Sequence, residues 1–301
     1  MRDALTGNVA IVTGASRGIG AAIARRFAAE GARVAMVARS LEPGSGGHLP
    51  GSLREVADDI AADGGIALPI VADLSDPACD RAAIVEQTTA AFGSVDVLVN
   101  NAAACFYLSI DDTSERRLRV AYEVNAITPY LLAKAAVPAM RERGAGWIVN
   151  IASVIADSAP PGPGRSGQFA RASTYAPSKA SLNRLTEALA TELGGAGIAV
   201  NAVAPEMAVA TEGATAVMDL PPEWCEPIET MAEAALALAT CDPAQANGQV
   251  LKSGPYLRER SRVTRTLDGR AVLASQAQIR RPGRSSSAAR VLEGRRSKPH
   301  E

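Results

Sequence analysis

Short, unbroken apolar runs alternate along this chain with longer stretches whose apolar residues recur at a helical period. Runs that are apolar at every position are typical of strands buried on both faces, because strands with one wet face alternate apolar and polar residues. The alternation therefore predicts an α/β fold, a doubly wound parallel sheet with right-handed crossovers and helices on both faces. About seven strands are expected, at Val9–Thr13, Arg33–Ala38, Ile66–Val71, Val95–Asn100, Trp147–Ile151, Ile198–Ala202 and Gly248–Lys252.

The predicted helices fill the intervals between these strands. They are expected at Gly20–Glu30, Leu53–Ala62, Pro77–Ala91, Ser114–Arg143, Tyr175–Leu193 and Glu229–Ala239. With 301 residues, 47% of them hydrophobic, the chain is long enough for one sizeable core and does not require two. Because aromatic residues make up only 4%, that core must be built from Ala, Val, Ile and Leu.

Charge divides the chain into two regions. Residues 257–301 contain 12 basic and 4 acidic side chains, whereas residues 1–256 are acidic overall. We therefore predict a single domain over residues 1–256 and a basic, partly disordered extension over residues 257–301. A solvated or loosely docked tail is favoured over a nucleic-acid partner, because no aromatic residue follows Tyr256. Packing of Leu257–Val272 along an acidic neighbouring subunit is the other option.

Cysteine and hydropathy patterns exclude several classes of protein. Cys79, Cys105, Cys225 and Cys241 are scattered, and the chain has only two histidines, so neither a metal centre nor a disulfide framework is expected. Free thiols fit a reducing cytoplasm. The apolar run Val9–Val12 is too short for a signal peptide, and no run approaches the roughly 18 apolar residues of a membrane span. We therefore expect a cytoplasmic protein with no membrane partner.

A glycine-rich turn, Thr13-Gly-Ala-Ser-Arg-Gly-Ile-Gly20, joins the first predicted strand to the first predicted helix. Its three glycines permit a tight turn and let backbone amides approach a ligand closely. The helix that follows presents its N-terminus, which favours a phosphate group. Glycine-rich turns are often only loops, but a position between a strand and a helix is the context of a dinucleotide site. We predict that a dinucleotide pyrophosphate binds here.

The end of the second predicted strand bears on the choice of dinucleotide. An acidic residue there would bind the ribose 2′-hydroxyl of NAD and repel the 2′-phosphate of NADP. This chain instead has Val37-Ala38-Arg39-Ser40, and both Arg39 and Arg17 can pair with a phosphate. The pattern favours NADP(H) and leaves NAD(H) open. The alternative interpretation of Arg39 is a side chain that is simply exposed.

Tyr175 and Lys179 stand four residues apart, which places them on one face of a helix. A tyrosine is a poor acid or base at neutral pH, because its ordinary pKa is about 10. A nearby ammonium group favours the phenolate and lowers the tyrosine pKa toward working pH. Pro177 lies between them and is tolerated only in a first turn, so the helix is predicted to begin near Ser173 or Thr174. Chance placement on a solvated helix is the alternative.

These motifs together resemble those of the short-chain dehydrogenase/reductase family, over about residues 5–253. Thr13–Gly20 matches the family's Thr-Gly-x-x-x-Gly-x-Gly, and Asn100-Asn-Ala-Ala103 is similar to its Asn-Asn-Ala-Gly. Tyr175 and Lys179 match its Tyr-x-x-x-Lys. The resemblance implies a Rossmann-type fold and an NAD(P)-dependent oxidoreductase that moves a hydride between the cofactor and an alcohol, aldehyde or ketone.

The resemblance also implies a catalytic set of Asn125, Ser153, Tyr175 and Lys179. Tyr175 would be the general acid/base, and Lys179 would lower its pKa and hold the nicotinamide ribose. Ser153 would bind the reacting oxygen, and Asn125 would anchor a water that relays protons. Each has a plainer alternative, such as a strand-end cap for Ser153 or a backbone hydrogen bond within its own helix for Asn125.

Cofactor contacts are expected along the same edge of the sheet, with Asp73 against the adenine unless it caps the following helix. The expected contacts are Gly14, Ser16, Arg17, Gly18, Ile19, Gly20, Arg39, Ser40, Asp73, Leu74, Asn101, Ala102, Tyr175, Lys179 and Pro205.

Two departures from the family pattern fall near the expected substrate. Glu206 replaces the glycine of the usual Pro-Gly, so the backbone after Pro205 is expected to take another path. A long loop, Ser158–Ser173, precedes Tyr175 and is expected to form a lid or rim. A largely apolar pocket favours an apolar alcohol or carbonyl compound, although the same residues suit a core or a subunit interface. The residues assigned to it are Cys105, Phe106, Tyr107, Val209, Val217, Met218, Leu220 and Trp224.

The resemblance implies a homodimer or homotetramer, paired through Ser114–Arg143 and Tyr175–Leu193. A non-catalytic NADP(H)-sensing protein on the same fold is the alternative function, since fold alone does not decide function. The intact set of Asn125, Ser153, Tyr175 and Lys179 argues for the enzyme.

Overall fold

The computed structural model describes residues 3–45, 49–157, 171–217 and 219–273. Its sheet has seven strands, all parallel, in the order β3-β2-β1-β4-β5-β6-β7. The doubly wound α/β fold predicted from the sequence is therefore confirmed. The strands are β1 Val9–Thr13, β2 Arg33–Ala38, β3 Ile66–Val71, β4 Val97–Asn100, β5 Gly146–Ile151, β6 Ile198–Ala204 and β7 Val250–Lys252.

Helices cover both faces of the sheet, and consecutive residues of a strand serve opposite faces. In β1, Ala10 and Val12 pack into one hydrophobic cluster, while Ile11 packs into the other. This is why the central strands are apolar at every position. The helices are α1 Gly18–Ala29, α2 Leu53–Ala62, α3 Arg81–Phe92, α4 Glu115–Tyr122, α5 Thr128–Arg143, α6 Tyr175–Glu192, α7 Glu212–Thr215, α8 Ile228–Ala239 and α9 Ser253–Glu259. Members of α1, α2, α8 and α9 contribute to the first cluster, and members of α3, α5 and α6 to the second.

The strand order reverses at β1, which lies between β2 and β4. Connections on the two sides of this point leave in opposite directions, so a crevice opens at the carboxyl ends of β1 and β4. The order therefore gathers the segments that follow β1, β4 and β5 at one edge of the sheet.

The helix predicted at Ser114–Arg143 is wrong as a single helix. Ser114 caps α4 by accepting a hydrogen bond from the amide of Arg117, and a π-helical turn at Glu123–Ile127 separates α4 from α5. The sequence pattern does not register this turn, because one extra residue barely changes an apolar period. Its consequence is local, since the turn contains Asn125.

Other boundaries differ from expectation by a few residues, and each difference has an identifiable cause. α3 begins at Arg81 rather than Pro77, because the Asp80 carboxylate accepts from the amides of Ala82 and Ala83. The second residue after β3, Asp73, does not cap α3; it accepts from the amide and hydroxyl of Ser75.

The C-terminal segment is folded further than predicted. The expected boundary after residue 256 falls inside α9, where Leu257 is buried. Beyond it, Arg262 donates to Glu233 at 2.6 Å, and the same carboxylate accepts from the buried Arg26 at 3.1 Å. Composition alone misses this docking because it indicates that the arginines are solvated, whereas a buried acid on α8, Glu233, is available to pair with Arg262. Residues 274–301 of the predicted extension lie outside the described part.

None of the helices in the described ranges is both long and apolar enough to cross a membrane. Those same ranges hold no group of three or more His, Cys, Asp or Glu side chains suited to a metal ion.

Two truncations test where the folded unit ends. A chain ending at residue 256 loses the buried Leu257 and the Arg262 partner of Glu233, so its free energy of unfolding should fall by about 3 kcal/mol or more. A chain ending at residue 273 keeps both and should match the full-length protein. Urea unfolding monitored by circular dichroism measures the difference; equal stability of the two truncations would place the boundary at 256 after all.

Candidate active site

The glycine turn after β1 is as compact as the sequence predicts. Gly14 and Gly18 have φ angles of +66° and +53°, the left-handed region that favours glycine. A Cβ on Gly20 would collide with the carbonyl oxygen of Gly14, because α1 packs directly against the end of β1. At the start of α1, no side chain caps the helix and no acid lies in its first turn. The first amides of α1 thus remain available to an anion.

Asn101, which is expected to contact the cofactor, binds the turn through its side chain. Its Nδ2 donates to the carbonyl oxygens of Thr13 at 2.8 Å and Gly14 at 3.2 Å. The Thr13 hydroxyl accepts from the amides of Asn101 and Ala102, each at 3.0 Å. These hydrogen bonds join the ends of β1 and β4 and fix the position of the glycine turn at the crevice.

The expected adenine end of the site contains two arginines with different surroundings. Arg39 follows β2 and is exposed. No carboxylate in the described ranges forms an ion pair with it. Arg17 donates through Nη2 to the carbonyl oxygen of Gly51 at 3.2 Å, so the loop before α2 lies against the glycine turn. Ser40 is buried beneath this loop, where its carbonyl oxygen accepts from the amide of Leu53.

Asp73 lies on the same side of the crevice, and Leu74 beside it is buried. Burial opposes ionisation of Asp73, but the hydrogen bonds from Ser75 and the charges of Arg39 and Arg81 outweigh it and lower its pKa. Asp73 is therefore held as a carboxylate close to Arg39.

Tyr175 is the first residue of α6, and Thr174 precedes it as the N-cap. The start predicted from Pro177 is thus correct, since the proline falls in the first turn. Two buried hydrogen bonds set the position of α6 over the sheet: Asn100 donates to Asn150 at 2.8 Å, and Asn150 donates to Thr186 at 2.8 Å. This chain of polar side chains links β4, β5 and α6.

Lys179 is 1% exposed, and its Nζ donates to the carbonyl oxygen of Ile151 at 2.8 Å. Burial lowers the pKa of Lys179 to about 8, although a charge on Cys105 would act in the opposite direction. The amine of Lys179 is thus fixed at the end of β5, with a pKa closer to neutral than that of a free lysine.

Burial of Tyr175 raises its pKa in this structure, a charge on Cys105 adds to the rise, and a hydrogen bond with the Ser153 side chain opposes it. Burial of the phenol is the main cause of this rise, and the lowering of the Tyr175 pKa by Lys179 stays a prediction. Ser153 follows β5 and also accepts from the amide of Ile155 at 3.3 Å, so the cap predicted as its plainer role coexists with the contact to Tyr175.

Two residues beside Tyr175 were assigned only to the pocket by the sequence. The ring of Tyr107 stands edge-on to that of Tyr175, with 6.0 Å between centroids. Cys105 interacts with Tyr107 and lies close enough to Lys179 and Tyr175 to affect their ionisation, and burial raises its own pKa to about 11. At neutral pH it is therefore a neutral thiol.

Asn125 is completely buried in the π-helical turn, and its side-chain amide bonds across elements rather than within its helix. Its Oδ1 accepts from the amide of Ala104, and its Nδ2 donates to the Ala104 carbonyl and to the Ser178 hydroxyl, all at 2.9 Å. Ser178, which the sequence reasoning missed, lies one residue before Lys179. Asn125 thus connects the segment after β4 to the first turn of α6.

An open cleft of about 740 Å³ lies next to this cluster. Its walls combine four consecutive residues after β4 with Val217 and two arginines that the sequence reasoning missed, namely Cys105, Phe106, Tyr107, Leu108, Val217, Arg117 and Arg171. Leu108 forms a parallel bridge with Ala172, which joins this wall to the residues just before Tyr175.

Part of the predicted pocket lies elsewhere. Val209 belongs to the buried core, and Trp224 is 49% exposed. Leu220 lines a smaller adjoining cavity, and Met218 and residues 158–170 of the predicted lid are outside the described part. Alternation of apolar residues does not separate a core position from a pocket wall, so these assignments required the fold.

Glu206, which stands where the family has a glycine, pairs with a residue that the sequence does not reveal. Its carboxylate accepts two hydrogen bonds from Arg258, at 2.9 and 3.1 Å. Its amide donates to Glu226 and to Ser253, each at 3.1 Å. The backbone after Pro205 is thereby tied to α9, and a Cβ at Gly254 would strike the Glu206 carboxylate.

Burial raises the pKa of Glu226 to about 7, against hydrogen bonds from Ser253, Met207 and Glu206 that lower it. The Glu226 carboxylate accepts hydrogen bonds from these three groups. While Glu226 is ionised, the bonds hold the backbone after Pro205 in place.

The structure thus brings Ser153, Tyr175 and Lys179 together at the end of β5, with Asn125 behind them and the glycine turn across the crevice. A phenol, a hydroxyl and an amine in this arrangement can exchange a proton with an oxygen placed above Tyr175.

Known proteins resemble this chain in sequence and in fold. The sequence model for short chain dehydrogenases matches residues 8–219. A short chain dehydrogenase from Pseudocercospora fijiensis is 37% identical over 204 residues, which are 67% of this chain and 60% of that protein. Human hydroxysteroid dehydrogenase-like protein 2 is 34% identical over 239 residues, 78% of this chain and 54% of its own length. The chain therefore spans little more than half the length of these relatives.

Among solved structures, a metagenomic short-chain oxidoreductase in complex with NADP is similar, with a TM-score of 0.67 and 32% identity. The match covers 83% of this chain and 98% of that one. With a family match over most of its folded part and a sheet of the same kind, this chain belongs to the short-chain dehydrogenase/reductase family.

Proposed function

We propose that this protein is an NADP(H)-dependent oxidoreductase that interconverts an alcohol and its carbonyl compound, with Tyr175 as the general acid/base. The observation that carries the proposal is the meeting of Tyr175, Ser153 and a buried Lys179 at the end of β5, beside an open cleft. Titratable groups with shifted pKa values in a cleft are characteristic of active sites.

The described residues suit a dinucleotide. The amides at the start of α1 have no side-chain cap, and the absence of a Cβ on Gly14 and Gly20 lets the turn pack closely against Asn101. We propose that Ser16, Arg17, Ile19 and Ala102 line this part of the site, and that Asp73, Leu74 and Ser40 surround the adenosine. A bound nicotinamide would supply or accept the hydride.

The chain's own residues would manage the proton and the reacting oxygen. During reduction, the Tyr175 hydroxyl donates its proton to the oxygen that the substrate carbonyl becomes; during oxidation, the phenolate accepts it. Ser153 donates a hydrogen bond to the same oxygen. Lys179, near the Ile151 carbonyl, stabilises the phenolate and binds the ribose, and Pro205 borders the nicotinamide pocket.

In this mechanism Asn125 is a positioning residue, which holds two neighbouring segments of the site in place. Its two hydrogen bonds to Ala104 fix the wall that carries Cys105 and Tyr107, and its bond to Ser178 fixes the first turn of α6. The relay water expected at Asn125 remains a prediction.

Replacing one phenol hydroxyl tests the assigned proton donor. Tyr175→Phe should lower kcat for carbonyl reduction by at least about a hundredfold, because the transferred proton has no other donor at this position. NADPH binding, measured by fluorescence titration, should persist. Tyr256→Phe is the matched control, since Tyr256 lies in the hydrophobic core and does not line the cleft, and it should retain most activity. Unchanged turnover in Tyr175→Phe would overturn the mechanism.

The preference for NADP(H) rests on Arg39 and Arg17. Arg39 lies exposed at the end of β2, where no acid replaces it, and Arg17 is held beside the glycine turn by Gly51. The metagenomic relative with bound NADP supports the same cofactor class. A guanidinium group pairs with a 2′-phosphate and has no such partner on NAD.

Reversing the charge at Arg39 tests this preference. Arg39→Asp should lower kcat/KM with NADPH by about tenfold or more and leave NADH less affected, because a carboxylate repels the 2′-phosphate. Arg141→Asp, at an exposed position of α5, controls for the change in overall charge. Steady-state kinetics with both cofactors measure the ratio; an unchanged ratio in Arg39→Asp would contradict the assignment.

We further propose that the protein is a homodimer or homotetramer paired through α4, α5 and α6. Apolar side chains are exposed along the first two elements and the π-helical turn between them, with Leu118 41%, Ile127 45% and Tyr130 48% exposed. Exposed apolar residues on one continuous surface mark protein contacts.

Sedimentation velocity tests the assembly. The full-length protein should sediment as a dimer or tetramer, and the double variant Ile127→Glu with Tyr130→Glu should shift it toward monomer, because two charges are expensive to bury in an apolar interface. Glu substitutions at the exposed Val263 and Val272, outside these helices, provide the control. A monomeric wild-type protein would contradict the proposal.

A further inference from the structure

The cleft beside Tyr175 is not uniformly apolar, although an apolar pocket was predicted. Phe106, Tyr107 and Leu108 form its aromatic and aliphatic side, and Arg117 and Arg171 also line it. The sequence offered no reason to join these two arginines, because they are 54 positions apart and lie on different elements.

Two contacts place this cleft beside Tyr175. Tyr107, in its wall, lies edge-on to Tyr175, and Thr174 donates to the carbonyl oxygen of Phe106 at 3.4 Å. Arg171 is four residues before Tyr175 and precedes Ala172, which bridges to Leu108. Because Tyr107 lines the cleft and adjoins Tyr175, a substrate that extends from Tyr175 into the cleft runs toward the arginines.

The carboxylates closest to Arg117 in sequence are engaged elsewhere. Glu115 accepts from Arg119 at 2.6 Å, and Asp112 accepts from the Ser109 hydroxyl at 2.5 Å. Arg117 reaches only the carbonyl oxygen of Asp112, at 3.5 Å. The neighbouring acids thus leave its charge uncompensated.

The same holds for Arg171, which makes no ion pair within the described ranges. Asp157, in the segment that follows β5, forms an ion pair with Lys252 at 3.3 Å. Asp219 lines the adjoining cavity that shares Val217, without forming an ion pair with Arg117 or Arg171. Two uncompensated cations at the rim of an apolar cleft attract an anion and orient it.

We propose that the substrate is amphipathic: an apolar alcohol or carbonyl compound whose far end carries a carboxylate or phosphate held by Arg117 and Arg171. This inference rests on the proposed oxidoreductase function and specifies the substrate class. A guanidinium binds either oxyanion through two parallel N–H···O bonds. The apolar wall contacts the body of the substrate, and the arginines select its charged end.

Matched substrates test the anionic end. Straight-chain oxo acids of increasing length are compared with their methyl esters and with the corresponding oxoalkyl phosphates, using NADPH. The wild-type enzyme should prefer an anion over the ester of the same length by about tenfold in kcat/KM, since exposed ion pairs each contribute modestly. Whether the acid or the phosphate is preferred identifies the anion.

Variants assign that preference to the two arginines. Arg117→Gln and Arg171→Gln should each lower it by about threefold, mainly through KM, and the double variant should abolish it while turnover of the ester is retained. Arg116→Gln is the matched control, an exposed arginine next to Arg117 on α4 that does not line the cleft. Equal wild-type kcat/KM for anion and ester would overturn the proposal, as would equal losses on both substrates in the variants.

A binding measurement separates this inference from the proposed function. If no compound is turned over, the oxidoreductase assignment fails on this panel, and calorimetry with NADP⁺-saturated protein still tests the anion site. Tighter binding of the acid or phosphate than of the ester, lost in the double variant, supports the site. Binding that does not distinguish charged from uncharged compounds excludes it.

Discussion

The contact between the glycine turn and the end of β4 is the constraint on which the site depends. The Asn101 amide donates to the carbonyl oxygens of Thr13 and Gly14, and the Thr13 hydroxyl accepts from two amides after β4. A Cβ at Gly20 would enter the space that these groups occupy. Because β1 and β4 are neighbours whose crossovers diverge, this contact sets the width of the crevice and the direction of the first amides of α1.

A second set of hydrogen bonds sets the other side of the crevice. Asn125 binds Ala104 and Ser178, and Asn100, Asn150 and Thr186 link β4, β5 and α6. All these side chains are buried, where an unpaired amide is costly, so each bond restricts the position of the element it joins. The π-helical turn is what brings Asn125 to Ala104, and so a small irregularity of one helix positions the wall of the cleft.

Charge plays two different roles in the protein. At the C-terminal segment, Arg262 and Arg26 share the carboxylate of Glu233, and the basic residues that look solvated in the sequence become structural partners of a folded domain. At the cleft, Arg117 and Arg171 have no such partners in the described ranges. The difference lies in which acids the fold places nearby, because attraction between charges falls with distance and with exposure to water.

The sequence by itself determined the order of strands and helices, the glycine turn, the first-turn position of Pro177 and the spacing of Tyr175 and Lys179. These are local properties, set by apolar period, backbone conformation and the reach of one helical turn. Only the tertiary structure decided that Asn101 binds the turn, that Val209 is core, that Glu206 pairs with Arg258, and that Arg117 and Arg171 share one cleft. It also buries Tyr175, which raises the pKa of its phenol. Each of these depends on contacts between residues far apart in the chain and on the burial they create, which no local pattern contains.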